Sequence, residues 1–140
     1  MVTQLGLFDQ APTLNVLRDL KTAMAKAADA SGLSRDELCD RINQLADRYG
    51  VRMVKGTGPN LTMATLEKWL NPEDKERVIP AKALSVFCAA SGSIEPMQVL
   101  IAPLGWRVID EKQAKLLTWA EHYHKGKDIR AKMKKLESEL

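Results

Sequence analysis

Histidines, cysteines and a glycine-containing loop are the residues of this 140-residue chain that could carry chemistry. His122 and His124 are two residues apart, which on a helix places them on nearly opposite sides, so they cannot share a metal ion. Cys39 and Cys88 each lie on an apolar helical stripe, where a buried, unpaired thiol behaves as a small hydrophobic group. The loop at residues 55–60 has two glycines but not the spacing of a phosphate-binding P-loop. We therefore expect no enzyme activity, no catalytic residue, no metal site and no cofactor.

Composition and charge indicate a small globular domain. The chain is 45% hydrophobic and 28% charged, as globular domains are, and no apolar run approaches the ~20 residues that span a bilayer. Residues 1–12 lack the positively charged start of a secretory signal, and two cysteines are too few for a disulfide scaffold. We expect a cytoplasmic protein with no membrane partner. A net charge of +3 argues against binding nucleic acid by bulk charge alone.

Apolar residues recur at spacings of three and four along most of the chain, which predicts an all-α fold. A first helix is predicted over residues 14–30 with Thr13 as its N-cap. Ser34 and Glu37 form a capping box at the start of the second helix, and Thr62 caps the third. Pro80 is expected at the first position of a fourth helix. A short fifth helix and a long tract from about residue 110 complete the prediction.

The three tryptophans and the segment after the second helix are less regular. Trp69, Trp106 and Trp119 are predicted to pack in the core, as large aromatic side chains usually do. Residues 51–54 alternate in polarity and could form a short extended piece, but such a piece has no obvious sheet partner. Residues 55–60 have the composition of a loop.

The order of the helices resembles the phage-repressor/Cro-like helix-turn-helix family over about residues 14–101. The second helix of that family opens with Leu-Ser/Thr-x-x-Glu-Leu-Ala, its third with a hydrophobic residue and Ser/Thr, and its fourth often with proline. The matching residues here are Leu33-Ser34-Arg35-Asp36-Glu37-Leu38-Cys39, then Leu61, Thr62 and Leu66, then Pro80 and Ala90-Ser91-Gly92.

The resemblance implies a lambda-repressor-like helical bundle of about five helices with a C-terminal helical extension. The expected organisation is an N-terminal tail at 1–12, a helix-turn-helix-like domain at 13–105 and an extension at 106–140. It also implies a prokaryotic or phage-type transcriptional regulator that binds double-stranded DNA. The third helix would enter the major groove, and a homodimer would match two half-sites.

Candidate DNA contacts follow from this resemblance and from the outward positions of the third helix. Base contacts are expected from its outer face and from the residue that precedes Leu61, and phosphate contacts from helix N-termini and the loop. The base-contact candidates are Met63, Ala64, Glu67, Lys68 and Asn60, and the phosphate-contact candidates are Arg35, Arg52, Lys55, Thr57 and Thr62.

One departure from the family leaves two readings open. The family joins its second and third helices by about four residues, whereas here the second helix continues through Tyr49 and the connection extends to Asn60. Long surface loops close at little cost in free energy, so the two helices could still pack as a pair, or the third helix could be displaced from the groove-facing position. The alternative function is a non-enzymatic helical protein–protein module, such as a phage accessory protein, that does not bind DNA.

The C-terminal segment has a second apolar pattern. Ile129, Met133, Leu136 and Leu140 step by four, three and four, as the a and d positions of a coiled coil do. The last sixteen residues carry six basic and three acidic side chains. This segment is either a solvated tail or a dimerisation element whose lysines also attract phosphates.

Overall fold

The computed structural model describes residues 13–58 and 60–140, which form six α-helices, one 3₁₀ turn and no strand. The predicted all-α fold is confirmed. The chain divides into two compact units, one ending at Arg107 and the other beginning at Val108. The predicted tail at residues 1–12 lies outside the described residues. The helices are α1 (Leu17–Ala30), α2 (Arg35–Arg48), α3 (Met63–Leu70), α4 (Ala81–Ser91), α5 (Glu95–Ile101), the 3₁₀ turn Ala102–Leu104, and α6 (Glu111–Glu139).

Polar side chains fix the starts of α2 and α3 where the sequence predicts them. The Ser34 hydroxyl accepts from the Glu37 backbone amide at 3.1 Å, and the Glu37 carboxylate accepts from the Ser34 amide at 3.1 Å. The Thr62 hydroxyl accepts from the amide of Thr65 at 3.2 Å. Each bond satisfies an amide that the first turn of a helix leaves unpaired. At the other end of the bundle, Gly92 ends α4 with a φ of +76°, a conformation that favours glycine.

Two predicted helix starts are wrong. The Thr13 hydroxyl accepts from the Asn15 amide at 3.1 Å, a local turn that competes with capping, and α1 begins only after Val16. Leu14 therefore precedes the helix and is exposed rather than part of its inner face. Pro80 is the N-cap of α4 and not its first residue, because its ψ of 151° is extended.

One hydrophobic core joins α1 to α4, and α5 closes it through partly buried residues. Its members are apolar residues of the helices, together with Met53 and Leu61 from the connection between α2 and α3 and Ile79 from the connection between α3 and α4. The large side chains Met24, Leu38, Ile42, Leu66 and Phe87 are completely buried, each at 0% exposure. The helical periodicity of the sequence therefore predicts the part of this core that the helices supply, apart from Leu14.

The second unit contains α6, which has no buried residue along its 29 residues. It begins with a capping box of its own: the Asp110 carboxylate accepts from the Gln113 amide at 2.7 Å, and the Gln113 side chain accepts from the Asp110 amide at 3.0 Å. The prediction that all three tryptophans are core residues is wrong for two of them. Trp106 is 70% and Trp119 62% exposed, because Trp106 follows the last turn of the bundle and Trp119 lies on this uncovered helix.

Candidate nucleic-acid interface

The helices α2 and α3 pack against each other despite the long connection between them. Leu38 and Ile42 from α2 and Leu66 and Trp69 from α3 are all at most 2% exposed and belong to the same core cluster. Residues of the two helices also have Cα atoms within 8 Å of each other. Of the two arrangements that the sequence leaves open, the structure has the packed pair.

Two asparagines hold the connection between α2 and α3 in place. The Asn43 side chain on α2 donates to the Leu61 carbonyl at 2.9 Å and accepts from the Leu61 amide at 2.8 Å. The Asn60 side chain donates to the Val51 carbonyl and accepts from the Met53 amide, both at 2.7 Å. Both side chains thus pair with backbone groups that have no helix or strand partner, as buried backbone groups require. The start of α3 is fixed by these bonds rather than by a short turn.

The predicted DNA contact Asn60 is therefore wrong. Asn60 is 8% exposed, and its amide nitrogen and amide oxygen each bond to backbone inside the connection. Met63 is also less available than predicted, since it is half-buried and packs against the core. The remaining outward positions of α3 are Ala64, Glu67 and Lys68, all exposed.

Arg52 has a structural partner set that the sequence does not reveal. Its guanidinium donates to the carbonyls of Val54 at 2.9 Å, Gly56 at 2.7 Å and Gly58 at 2.9 Å. Gly56 has a φ of +104°, which only glycine adopts without strain. Arg52 remains exposed, so it shapes the loop and still presents positive charge at its surface. Lys55 and Thr57 of this loop are exposed as predicted.

A buried lysine fixes the other end of α3. Lys21 of α1 is 1% exposed, and its ammonium donates to the carbonyls of Lys68 at 2.6 Å and Arg77 at 2.5 Å. The first bond satisfies a carbonyl in the last turn of α3, and a positive charge is favourable there. Burial lowers the pKa of Lys21, and the nearby carboxylate of Asp74 opposes that shift.

An open groove of about 580 Å³ lies beside the N-terminus of α3. Thr62, Thr65 and Trp69 of α3 form one wall, and the others come from the connection and from residues 76–80. Lys55 and Arg77 bring two positive charges to this groove, and Glu76 brings one negative charge. A helix N-terminus flanked by cations suits a phosphate oxygen.

Arg35 occupies a different position from the other phosphate-contact candidates. It starts α2 and pairs with Asp29 of α1 at 2.8 Å, with about a third of its side chain exposed. The ion pair partly neutralises its charge. Of the predicted phosphate contacts, Lys55 and Thr62 line the groove beside the start of α3. Thr57 lies in the same loop as Lys55, and Arg52 braces that loop. Arg35 is paired with Asp29.

In the part of the chain that the structure describes, the side chains that could support other chemistry do not form a cluster. Cys39 and Cys88 are buried and unpaired, as predicted. Burial raises the pKa of both thiols, which leaves them weaker nucleophiles. Among residues 13–58 and 60–140, no three His, Cys, Asp or Glu side chains are grouped so as to hold a metal ion.

None of the described helices is long and apolar enough to cross a membrane. When the chain is compared with known proteins, no family model, no curated protein and no solved structure matches it. A function must therefore be argued from the geometry of this molecule.

The residues that fix the interface were not all recognisable from the sequence. Asn43 and Lys21 both lie within helices. In the sequence Asn43 resembles an ordinary polar surface residue, and Lys21 resembles an ordinary solvated lysine. The only available signal is position: Lys21 follows Leu20 and precedes Met24 on the same turn, so it falls close to the buried stripe of α1. Spacing does not say which backbone carbonyls a side chain will reach.

Proposed function

We propose that this chain is a DNA-binding transcriptional regulator that inserts α3 into the major groove. The observation that carries the proposal is the packed α2–α3 pair, in which α3 is capped at both ends and still exposes Ala64, Glu67 and Lys68. A recognition helix must be rigid to read bases, and these two caps supply that rigidity. Lys68 would bond guanine, Glu67 would accept from cytosine, and Ala64 would contact a thymine methyl.

In this proposal the groove beside α3 contacts the sugar–phosphate backbone of the DNA. Lys55, Thr57 and Thr62 would contact phosphate oxygens, and the hydrogen-bonded connection would hold them in a fixed position relative to α3. The protein would act in the cytoplasm as a homodimer on two half-sites, and its two unpaired cysteines are compatible with a reducing compartment. No catalytic step is part of the proposal.

DNA binding can be tested without knowing the operator. The full chain selects duplexes from a random library, and binding of the selected duplex is then measured by fluorescence anisotropy from about 50 to about 200 mM salt. We expect the logarithm of the affinity to fall linearly with the logarithm of salt concentration. Failure to enrich any sequence, together with no binding at low salt, would exclude the proposal.

Three lysine variants separate base reading from phosphate contact. Lys68→Ala should reduce discrimination against the wrong base by about 1–3 kcal/mol at one position, and Lys55→Ala should weaken all sequences alike and lower the salt slope by about 1. Lys26→Ala is the matched control, since this exposed residue lies on α1 in the groove that α1 forms with Glu95 and Val99 of α5. If all three variants bind DNA with the same affinity as the wild type, the protein–protein module described below is favoured.

A non-enzymatic protein–protein module is the second candidate function. The observation that favours it is α6, whose apolar side chains are exposed along its whole length. Large exposed apolar surface usually marks an interaction site. The two candidates differ in whether α3 contacts DNA, and the selection experiment decides between them.

A further inference from the structure

The C-terminal half of α6 has a narrow apolar seam. Ile129, Met133, Leu136 and Leu140 lie at spacings of four, three and four, and each is more than half exposed. In heptad notation Met133 and Leu140 take position a, and Ile129 and Leu136 take position d. This is the spacing that packs one helix against another.

The seam is separate from the apolar residues in the first half of α6. Leu116, Trp119 and Tyr123 form that earlier stripe, in which Trp119 and Tyr123 stack with ring centroids 5.4 Å apart. At 3.6 residues per turn the two apolar stripes point about 100° apart around the helix axis. A straight partner helix can therefore cover only one of them, and the C-terminal seam needs its own partner.

Charged residues flank the seam on both sides and are free to pair with another chain. Arg130 and Glu137 occupy the e positions, and Lys132 and Glu139 occupy g positions. All four are exposed. Across residues 13–58 and 60–140 the only ion pairs are Arg18–Glu73 and Arg35–Asp29, so none of the four is paired within α6.

We propose that this seam pairs with the same seam of a second copy of the chain, in antiparallel orientation. Antiparallel pairing brings a positions opposite d positions, so Ile129 meets Leu140 of the second copy and Met133 meets its Leu136. In that register Arg130 lies opposite Glu137, and Lys132 lies opposite Glu139. Each contact occurs twice by symmetry, which gives four ion pairs of opposite sign around four apolar layers.

Other arrangements of the two seams lose this complementarity. In a parallel pair, each g position faces the e position five residues later on the other chain. Lys132 would then meet Glu137, but Lys125 would meet Arg130. The attraction of the first pair would be cancelled by the repulsion of the second. Moving the antiparallel register by one heptad places Arg130 opposite itself and Lys132 opposite itself. It also places Gly126 in an apolar layer. The charges thus select one orientation and one register.

The pairing is expected to be weak and to depend on salt. Two heptads make a smaller contact than the ~1,200–2,000 Å² that stable interfaces bury, and exposed ion pairs weaken as salt screens them. The inference specifies the dimer in the proposed function, but it rests on α6 alone and involves no DNA. Its failure would leave the proposed role of α3 standing.

Sedimentation velocity of the full chain without DNA tests the pairing. The wild type should self-associate reversibly, and Arg130→Glu and Glu137→Lys should each weaken association by about tenfold because each creates two like-charge pairs. The double variant Arg130→Glu/Glu137→Lys should recover wild-type association, since the pairs reform with their signs exchanged. A wild type that stays monomeric at the highest attainable concentration would overturn the proposal.

Matched controls and a distance measurement fix the orientation. Lys135→Glu and Asp128→Lys make the same charge changes away from the flanks of the seam and should leave association within about twofold. Stronger association of Arg130→Glu would indicate the parallel pair, because the introduced carboxylate would then face Lys125. Spin labels at Lys125→Cys should lie about 30 Å apart in the antiparallel pair, as 1.5 Å per residue requires, and close to the ~10 Å axis separation in a parallel one. A short distance would overturn the antiparallel assignment.

Discussion

The helices α2 and α6 start in the same way and end in different surroundings. Each begins with a capping box, Ser34 with Glu37 in α2 and Asp110 with Gln113 in α6. Yet Leu38 of α2 is completely buried, whereas every apolar residue of α6 is at least partly exposed. A capping box and an apolar spacing therefore specify a helix and where it starts, but not whether its apolar face is buried within its own unit.

Trp69 in the bundle core and Trp119 on α6 give the largest test of this contrast. Trp69→Ala should reduce the free energy of unfolding by about 3–5 kcal/mol, because it empties a site in the bundle core. Trp119→Ala should change it by about 0.5 kcal/mol or less, since the side chain is 62% exposed and loses only its stacking on Tyr123. Urea denaturation followed by circular dichroism measures both. Equal effects would mean that α6 unfolds together with the bundle.

The buried lysine of α1 offers the next test. Lys21→Met keeps most of the side-chain volume but removes the donor to the Lys68 and Arg77 carbonyls, and should cost about 2 kcal/mol, as lost bonds from a charged donor do. Lys26→Met is the matched control on the same helix, where the side chain is exposed, and should change stability by at most about 0.5 kcal/mol. If Lys21→Met is as stable as the control, the ammonium does not hold the end of α3.

Local signals in the sequence predict the helices well. The interface depends on contacts between residues that are distant in the sequence, and these are predicted poorly. The caps at Ser34 and Thr62 and the buried residues Leu66 and Trp69 were all predicted, because each depends on neighbours within one or two turns. Asn60 was misassigned because its partners are backbone groups of residues 51 and 53, which it meets only after the chain folds back.

The same reasoning explains the errors outside the bundle. The place of Trp119 on an apolar stripe predicts a core residue, but periodicity alone cannot tell a buried stripe from an exposed one. Thr13 was predicted as a cap, but its hydroxyl has a closer amide to accept from. Whether α3 reads DNA and whether α6 pairs remain predictions.

The two capping boxes can be compared directly. Ser34→Ala should reduce the free energy of unfolding of the bundle by about 1 kcal/mol, because it leaves a first-turn amide without its acceptor. Asp110→Ala removes the same kind of bond from α6 and should reduce helix content there while leaving the unfolding midpoint of the bundle unchanged. Far-ultraviolet circular dichroism and urea denaturation separate the two effects. A shifted bundle midpoint in Asp110→Ala would show that the start of α6 supports the bundle.

The smallest expected effect is a change in the free energy of unfolding at acidic pH. The hydrogen bond from the Ser34 amide holds the pKa of Glu37 below its usual value of 4.5, so the unfolded chain binds this proton more readily than the folded one. The stability that Glu37 contributes is therefore present above pH 4.5 and is lost as the pH falls through the lower folded pKa. Glu37→Gln cannot titrate, so the difference in unfolding free energy between wild type and variant should shrink with acid over that window. In α6 the same position is already Gln113, and Gln113→Glu should bring acid dependence to the helix content of α6 alone. A wild-type advantage that stays constant through this range would mean that the carboxylate contributes nothing beyond what an amide supplies.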